Sequence, residues 1–380
     1  ALPGFTAPKI FWTRDHEPEV YTQVAKVLLP KDYVRYRMTG EYATEVSDAS
    51  GTVLLNVRER RWSEEVLSQL DIPLEWMPAC VESPEITGRV TAEVAEATGL
   101  PEGLPVVGGG GDQAASGVGT GIVAPGLVSV TMGTSGVVFA YTDEPSRDPE
   151  GRLHTFCHAV PGKWHFMGVT LAAGGSLRWL RDTLGATEID VAALTGVDPY
   201  EIMTAEADLV PPGSEGLIYL PYLSGERTPY PDPNARGAFF GLTVRHTKRH
   251  MVRAVLEGVA YSLRDSIELF RSLNVPITQV RATGGGARSR VWRQILADVF
   301  GTELVTVNVT DSSAYGAALL AGVGARVYAS VPEACAQTVK IVDTVQPVSA
   351  NLRTYDTYYP IYRSLYPTLK PAFDAVAEVE

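Results

Sequence analysis

The stretch PVVGGGGDQAASGVGTG, residues 105–121, decides the fold. An apolar run stops at four consecutive glycines, Gly108 to Gly111, and a lone carboxylate, Asp112, follows them. Glycine has no Cβ, so such a junction lets backbone approach a ligand closely. The N–H groups that open the next helix can then donate to an anion. Two readings stay open on this stretch alone. It is a turn that faces phosphate or sugar, or a tight turn in which Asp112 caps its own helix.

Working outward, the pattern recurs. LVSVTMGTSGVVFAYT (127–142) is two β-rich runs around a Gly-Thr-Ser-Gly turn. That predicts a hairpin whose Gly133 and Thr134 offer amides and a hydroxyl to phosphate oxygens. WHFMGVTL (164–171) reads as a strand leading through AAGG into the amphipathic helix SLRWLRDTL, with Leu177, Leu180 and Leu184 on one face. QVRATGGGARSRVWRQILADVFG (279–301) is strand, glycines, helix once more. It lacks the lysine of a P-loop and is not G-x-G-x-x-G. Its glycines leave room for a flat adenine ring between backbone segments. A long helix is predicted over 247–273 and an apolar one over 315–325. Nearer the start, 17–39 predicts a helix and then a Pro-marked turn, 57–70 a polar helical stretch, and PVVGGGG a buried strand. Strands that alternate with helices through β-Gly-α junctions predict an α/β architecture with ligands at the carboxyl ends of strands.

The chain has 380 residues, 45% hydrophobic and 20% charged, with a net charge of −12. That is globular composition with room for more than one domain. No Lys/Arg run favours nucleic acid, and no apolar run is long enough for a membrane span. Cys80, Cys157 and Cys335 form neither a disulfide framework nor a metal spacing, and fit reduced core thiols in a cytoplasm. His154, His158 and His165 straddle Pro161 and Gly162, so they do not share one helix face, which disfavours a metal site. RERR (58–61) reads as a solvated patch. Glu226 and Arg227 read as a pair that closes over a cleft or as a structural pair. Asp298 reads as a cap or an ion-pair partner.

Phosphoryl transfer asks a protein for alignment, charge neutralisation and an acceptor for the nucleophile's proton. Asp112, beyond a glycine turn, suits the acceptor's role. Gln113 beside it can donate and accept toward other hydroxyls.

With these residues in place, the chain resembles the FGGY carbohydrate kinases over nearly its whole length, and within them the branch that phosphorylates D-xylulose. GFTAPKIFWTRDH (4–16), with Lys9 and Trp12, is similar to the family's first fingerprint. GAFFGLTVRHTKRHMVRAVLE (237–257), with His250 at its polar position, is similar to the second. LPYLSGERTP (220–229) and HTFCHAVPGKWHFM (154–167) are similar to the D-xylulose branch. The resemblance implies an actin-like, ribonuclease-H-like α/β fold, two lobes with ATP and sugar in the cleft and Mg²⁺ neutralising phosphate charge. It implies a remainder of the first, sugar-binding lobe over 1–123, a second, nucleotide-binding lobe over 124–350, and a C-terminal helix over 351–380 that packs back on the first lobe. It also implies roles. Asp112 is the catalytic base and Gln113 the substrate-binding amide. Gly133 and Thr134 fall on a phosphate loop, and Gly174 and Arg178 near nucleotide contacts. Gly284, Gly285, Gly286 and Arg288 fall on the adenosine motif. A cytoplasmic enzyme that forms a homodimer is implied as well. No D-x-G-T hairpin precedes the first fingerprint, so a first lobe without its leading section is expected. Two rivals stay open: a kinase for another ketose, polyol or sugar acid, and a non-catalytic nucleotide-binding or assembly protein.

Overall fold

Seven strands form the central sheet: β1 (Gly126–Met132), β2 (Gly136–Thr142), β3 (His154–Cys157), β4 (Trp164–Thr170), β5 (Ile277–Thr283), β6 (Leu304–Val307) and β7 (Ile341–Val345). The computed structural model describes residues 4–379. Ala1 to Pro3, at the head of the expected first lobe, and Glu380, at the end of the tail, lie outside the described residues. The sheet order is β7-β6-β5-β1-β2-β4-β3. β1, β2 and β4 make an antiparallel meander, and β5 and β6 add to β1 in parallel. This is the ribonuclease-H-like arrangement.

Alternation along β2 explains why the sheet is covered on both faces. Val138 and Ala140 join the large core, while Phe139 and Tyr141 point into a separate cluster with Ile122. The helices that matter for the site are α1 (Asp112–Gly119), α2 (Gly174–Leu184), α3 (Pro199–Asp208), α4 (Lys248–Ser272), α5 (Arg290–Phe300), α6 (Ser312–Gly324) and α7 (Ser349–Ala377). α4 starts on a capping box of Thr247 and His250 and runs through the large core. Leu177 and Leu180 of α2 are buried as expected, but Leu184 is exposed because α2 ends there.

Helices α1 and α6 cross with no space between them. A Cβ on Gly119 would stand 1.9 Å from Ser312 O, and one on Gly316 would stand 1.8 Å from Ala115 O. Ser116 and Ser312 share a hydrogen bond of 2.7 Å at the same crossing. Just beyond α1, Arg281 of β5 donates to Thr120 O, and the ring of His158 bonds Ile122 O. α1 is therefore anchored to the sheet.

Residues 4–111 hold short elements around a small core of Ala7, Ile10, Leu54, Leu67, Ile72 and Met77. Segment Ala43–Glu45 pairs in parallel with Ala79–Val81, and Ile86–Arg89 pairs antiparallel with Pro105–Val107. The 17–39 expectation is corrected here. Helices occupy Thr6–His16 and Pro30–Thr39, because Pro18 and Pro30 each open a helix instead of closing one. The 57–70 stretch is helical only over Glu64–Gln69, after a hairpin of Leu55–Asn56 with Arg61–Trp62. The Pro105–Val107 strand is half-buried, not buried.

The tail is the second correction. α7 packs on the sheet-bearing part, not on residues 4–111. The reason is a row of buried tyrosines that need polar partners. Tyr355 Oη donates to Glu257 (2.9 Å) and accepts from Arg253 (2.8 Å). Tyr359 donates to Asp265 (2.6 Å) and Tyr366 to Asp232 (2.7 Å). Glu257 and Asp265 belong to α4, and Asp232 to the loop between the Ile218–Leu220 and Ala238–Phe240 strands, so the tail must lie there.

Candidate active site

The hairpin tip between β1 and β2 is pinned by the start of α2. Ala173 N donates to Thr134 O (2.9 Å), Gly174 N to Gly133 O (2.8 Å) and Gly175 N to Thr134 O (3.0 Å). These short approaches explain several glycines. A Cβ on Gly174 would meet Gly133 O at 2.5 Å. One on Gly284, whose φ is +83°, would meet Met132 O at 2.6 Å. One on Gly286 would press on Met132 and Trp292. Gly174 and Gly284 thus let the protein's own backbone close around the hairpin, and Gly286 makes room for the Met132 and Trp292 side chains. Gly285 has nothing within 4 Å and faces open space.

Gly133, Thr134, Gly174, Arg178, Gly285, Gly286 and Arg288 all line one cavity of about 550 Å³. Gly284 lies outside that lining and shapes it from behind. Trp292 forms the floor, buried and fixed by its indole N–H donating to Leu256 O (3.0 Å). Arg178 and Arg288 are exposed, and neither has an ion-pair partner among the described residues. Two unpaired guanidinium groups beside an exposed Gly-Thr turn suit an anionic ligand. The wall that sequence reasoning missed comes from α3. Asp198 caps that helix by accepting from Tyr200 N (2.8 Å), and Tyr200, Glu201 and Thr204 complete the lining. No glycine signature marks these residues; a helix with Pro at its first position after Asp was the one local signal.

Asp112 and Gln113 are not part of this cavity. Asp112 is the first residue of α1 and is exposed. Its Oδ1 accepts from Gln113 N (2.8 Å) and its Oδ2 from the Gln113 amide (3.1 Å). The first contact takes up the N–H of the helix's second residue, and the carboxylate is nonetheless exposed at the helix start. The glycine turn before it is held from the first part of the chain: Gly108 N bonds Glu85 O, Gly109 N bonds Ser83 O, and Gly111 N bonds Ser47 Oγ. From the other side, Ser313 at the start of α6 donates to Asp112 O (3.0 Å).

Other residues singled out by sequence have plain positions. Glu226 is buried and accepts from Thr170 Oγ1 (2.6 Å), Leu171 N and Arg227 N, so it does not pair with the Arg227 guanidinium. Burial pushes its carboxyl up to about 7. Asp298 fixes the start of α7 through Val348 N and the Asn351 amide. Arg60, in the RERR patch, is not simply solvated: it forms a bidentate pair with Glu82 and donates to Lys163 O. His158 spends both ring nitrogens on backbone, on Ile122 O and Val160 N. Burial lifts the Cys80 and Cys335 thiols to about 12.

A ribonuclease-H-like sheet with a glycine-bordered cavity at its hairpin, and a lone accessible carboxylate on the helix beside it, defines a phosphotransferase of the actin-like class. Models of the FGGY family of carbohydrate kinases match residues 1–119 (N-terminal domain) and 128–325 (C-terminal domain). The chain belongs to the FGGY family of carbohydrate kinases and is a phosphotransferase with an alcohol acceptor. It is 43% identical over 371 residues to a xylulose kinase of Escherichia coli, which spans 97% of this chain and 74% of that protein. It is 35% identical to a gluconokinase of Bacillus subtilis, over 98% of this chain and 72% of that protein. The crystal structure of a xyloylose kinase from Brucella ovis superposes with a TM-score of 0.88 at 38% identity, covering 98% of this chain and 74% of that one.

Proposed function

We propose that the protein transfers the γ-phosphoryl group of ATP to the 5-hydroxyl of D-xylulose, giving D-xylulose 5-phosphate, in the cytoplasm. Asp112 takes the O5 proton as the O5–P bond forms. The bond between the γ-phosphorus and its bridging oxygen breaks, and ADP leaves. Gln113 orients the sugar. Gly133 and Thr134 hold phosphate oxygens, Arg178 and Arg288 neutralise charge, and Gly174 and Gly284 to Gly286 border the nucleoside. Mg²⁺ is a hard ion that takes oxygen ligands and usually travels with nucleotide phosphates. The exposed Asp112 carboxylate and Thr134 hydroxyl are donors of that kind, and the ion would supply further charge neutralisation. The observation that carries the reading is the accessible Asp112 carboxylate, held at the head of a helix anchored to the sheet that bears the cavity.

The test is an ADP-release assay on a panel of D-xylulose, other ketoses, gluconate and glycerol. D-xylulose should give the highest kcat/KM. A preference for gluconate would instead favour the second reading, for which the similarity to a gluconokinase speaks. Calorimetry with ATP and no turnover on any sugar would favour a binding protein.

A further inference from the structure

A second cavity, of about 450 Å³, opens where the first part of the chain meets the sheet. One wall is Val57 and Arg58, from the turn between Leu55–Asn56 and Arg61–Trp62. The other is Pro145, Ser146 and Arg147, from the β2–β3 connection, with Thr155 of β3. This cavity shares no lining residue with the one at the hairpin tip and does not include Asp112. Both walls are held in place. The Trp164 indole N–H donates to Val57 O (2.7 Å), and the Cys157 thiol donates to the same oxygen (3.4 Å). Thr155 Oγ1 donates to Ser146 O (2.7 Å).

The charges here do not cancel. Arg58 and Arg147 are exposed. Among the described residues, Arg58 makes one long hydrogen bond, to Pro145 O at 3.4 Å, and Arg147 makes no hydrogen bond or ion pair. The acids beside them are committed to other cations. Glu59 pairs with Arg61 (2.6 Å), Asp148 and Glu150 with Arg152 (2.8 and 3.3 Å), and Asp143 with Lys163 (2.6 Å). Glu144, the remaining acid of the connection, does not line the cavity. In a chain of net charge −12, two uncompensated guanidinium groups on opposite walls of one cavity mark a place for an anion.

We propose that this cavity is a binding site for a phosphate monoester, its phosphate between Arg58 and Arg147 and its carbon body against Val57 and Pro145. A guanidinium presents its N–H donors as a planar fork that matches phosphate oxygens, and charge-assisted bonds of that kind are the strong ones. The volume falls in the range of small-molecule sites and exceeds what a phosphate group alone would fill. A ligand that touches both walls ties the 57–58 turn to the β2–β3 connection, so its binding also stabilises the fold.

The experiment is calorimetric titration with D-ribose 5-phosphate, with inorganic phosphate and ribose as separate arms. It is run on the full chain carrying Arg178→Ala and Arg288→Ala, which weaken the competing anion site in the other cavity. D-ribose 5-phosphate should bind at one site, more weakly as salt is raised, and should raise the melting temperature. Arg58→Ala and Arg147→Ala should each raise its Kd about tenfold or more, and Arg147→Lys should cost less. Ribose should not bind there, and inorganic phosphate should bind more weakly at the same residues. Both arginines are exposed, so either alanine variant should keep the melting temperature of the unliganded protein. No binding, or a Kd within about twofold of the parent in both alanine variants, overturns the proposal. Inorganic phosphate bound as tightly as the ester overturns the assignment to a monoester.

Discussion

The Gln113 amide donates to Asp112 Oδ2 across 3.1 Å while its own backbone N–H donates to Oδ1, so one residue orients both oxygens of its neighbour. The carboxylate is aimed without being buried. Asp112→Asn keeps the shape and removes the carboxylate proposed as proton acceptor. It should lower kcat by about 10²- to 10⁴-fold while sugar still binds, measured by single-turnover kinetics and calorimetry.

The two unpaired arginines of the cavity give a separate outcome. Arg178→Ala should raise KM for ATP about tenfold or more, from a loss of about 1.5 kcal/mol in charge-assisted hydrogen bonding. KM for the sugar should change little, because Arg178 lines the cavity and Asp112 does not. Equal rises in both constants would remove Arg178 from a donor-specific role.

The α1–α6 crossing can be probed without touching the chemistry. Gly316→Ala places a methyl where Ala115 O already stands, 1.8 Å away. The helices must part, at a cost of about 3 kcal/mol. Urea unfolding should show a lower midpoint with an unchanged slope, and an unchanged midpoint would mean that the crossing adapts freely.

His158 makes acid stability testable. It is fully buried, and burial depresses its ring from 6.5 to about 4. Between those values the unfolded chain binds a proton that the folded one does not. The contribution is therefore complete above pH 6.5 and is lost as pH falls toward 4, by about 3 kcal/mol in all. His158→Gln should flatten the fall of the melting temperature between pH 6.5 and 4.5. Its stability at pH 7.5 is expected to be lower, since Gln must replace bonds to Ile122 O and Val160 N.

Local patterns carried much of the fold. The β1–β2 hairpin, α4 and the β5-glycine-α5 junction were readable because alternation, a turn signature and a long amphipathic period are properties of neighbouring residues. Seven of the eight residues expected around a nucleotide line a single cavity, although Gly174 and Gly284 also lie against the protein's own backbone. The α3 wall was hidden because Asp198, Tyr200 and Glu201 gain their position only from tertiary packing. Ser47 and Gly111 are 64 residues apart, so nothing local announces their bond. The tail was expected as a helix over 351–380, and it runs as one from Ser349 to Ala377 even through Pro360, Pro367 and Pro371. Its destination depended on Glu257, Asp265 and Asp232, which no tail residue reveals.

Because α1 is locked to α6 and tethered to the sheet by Arg281 and His158, the Asp112 carboxylate and the hairpin tip ride in one frame. The gap between them behaves as a fixed gauge, and only the offering of the sugar varies. Discrimination among acceptors would then be a matter of reach: an alcohol that arrives short of that gauge stays untouched however tightly its remaining hydroxyls are held.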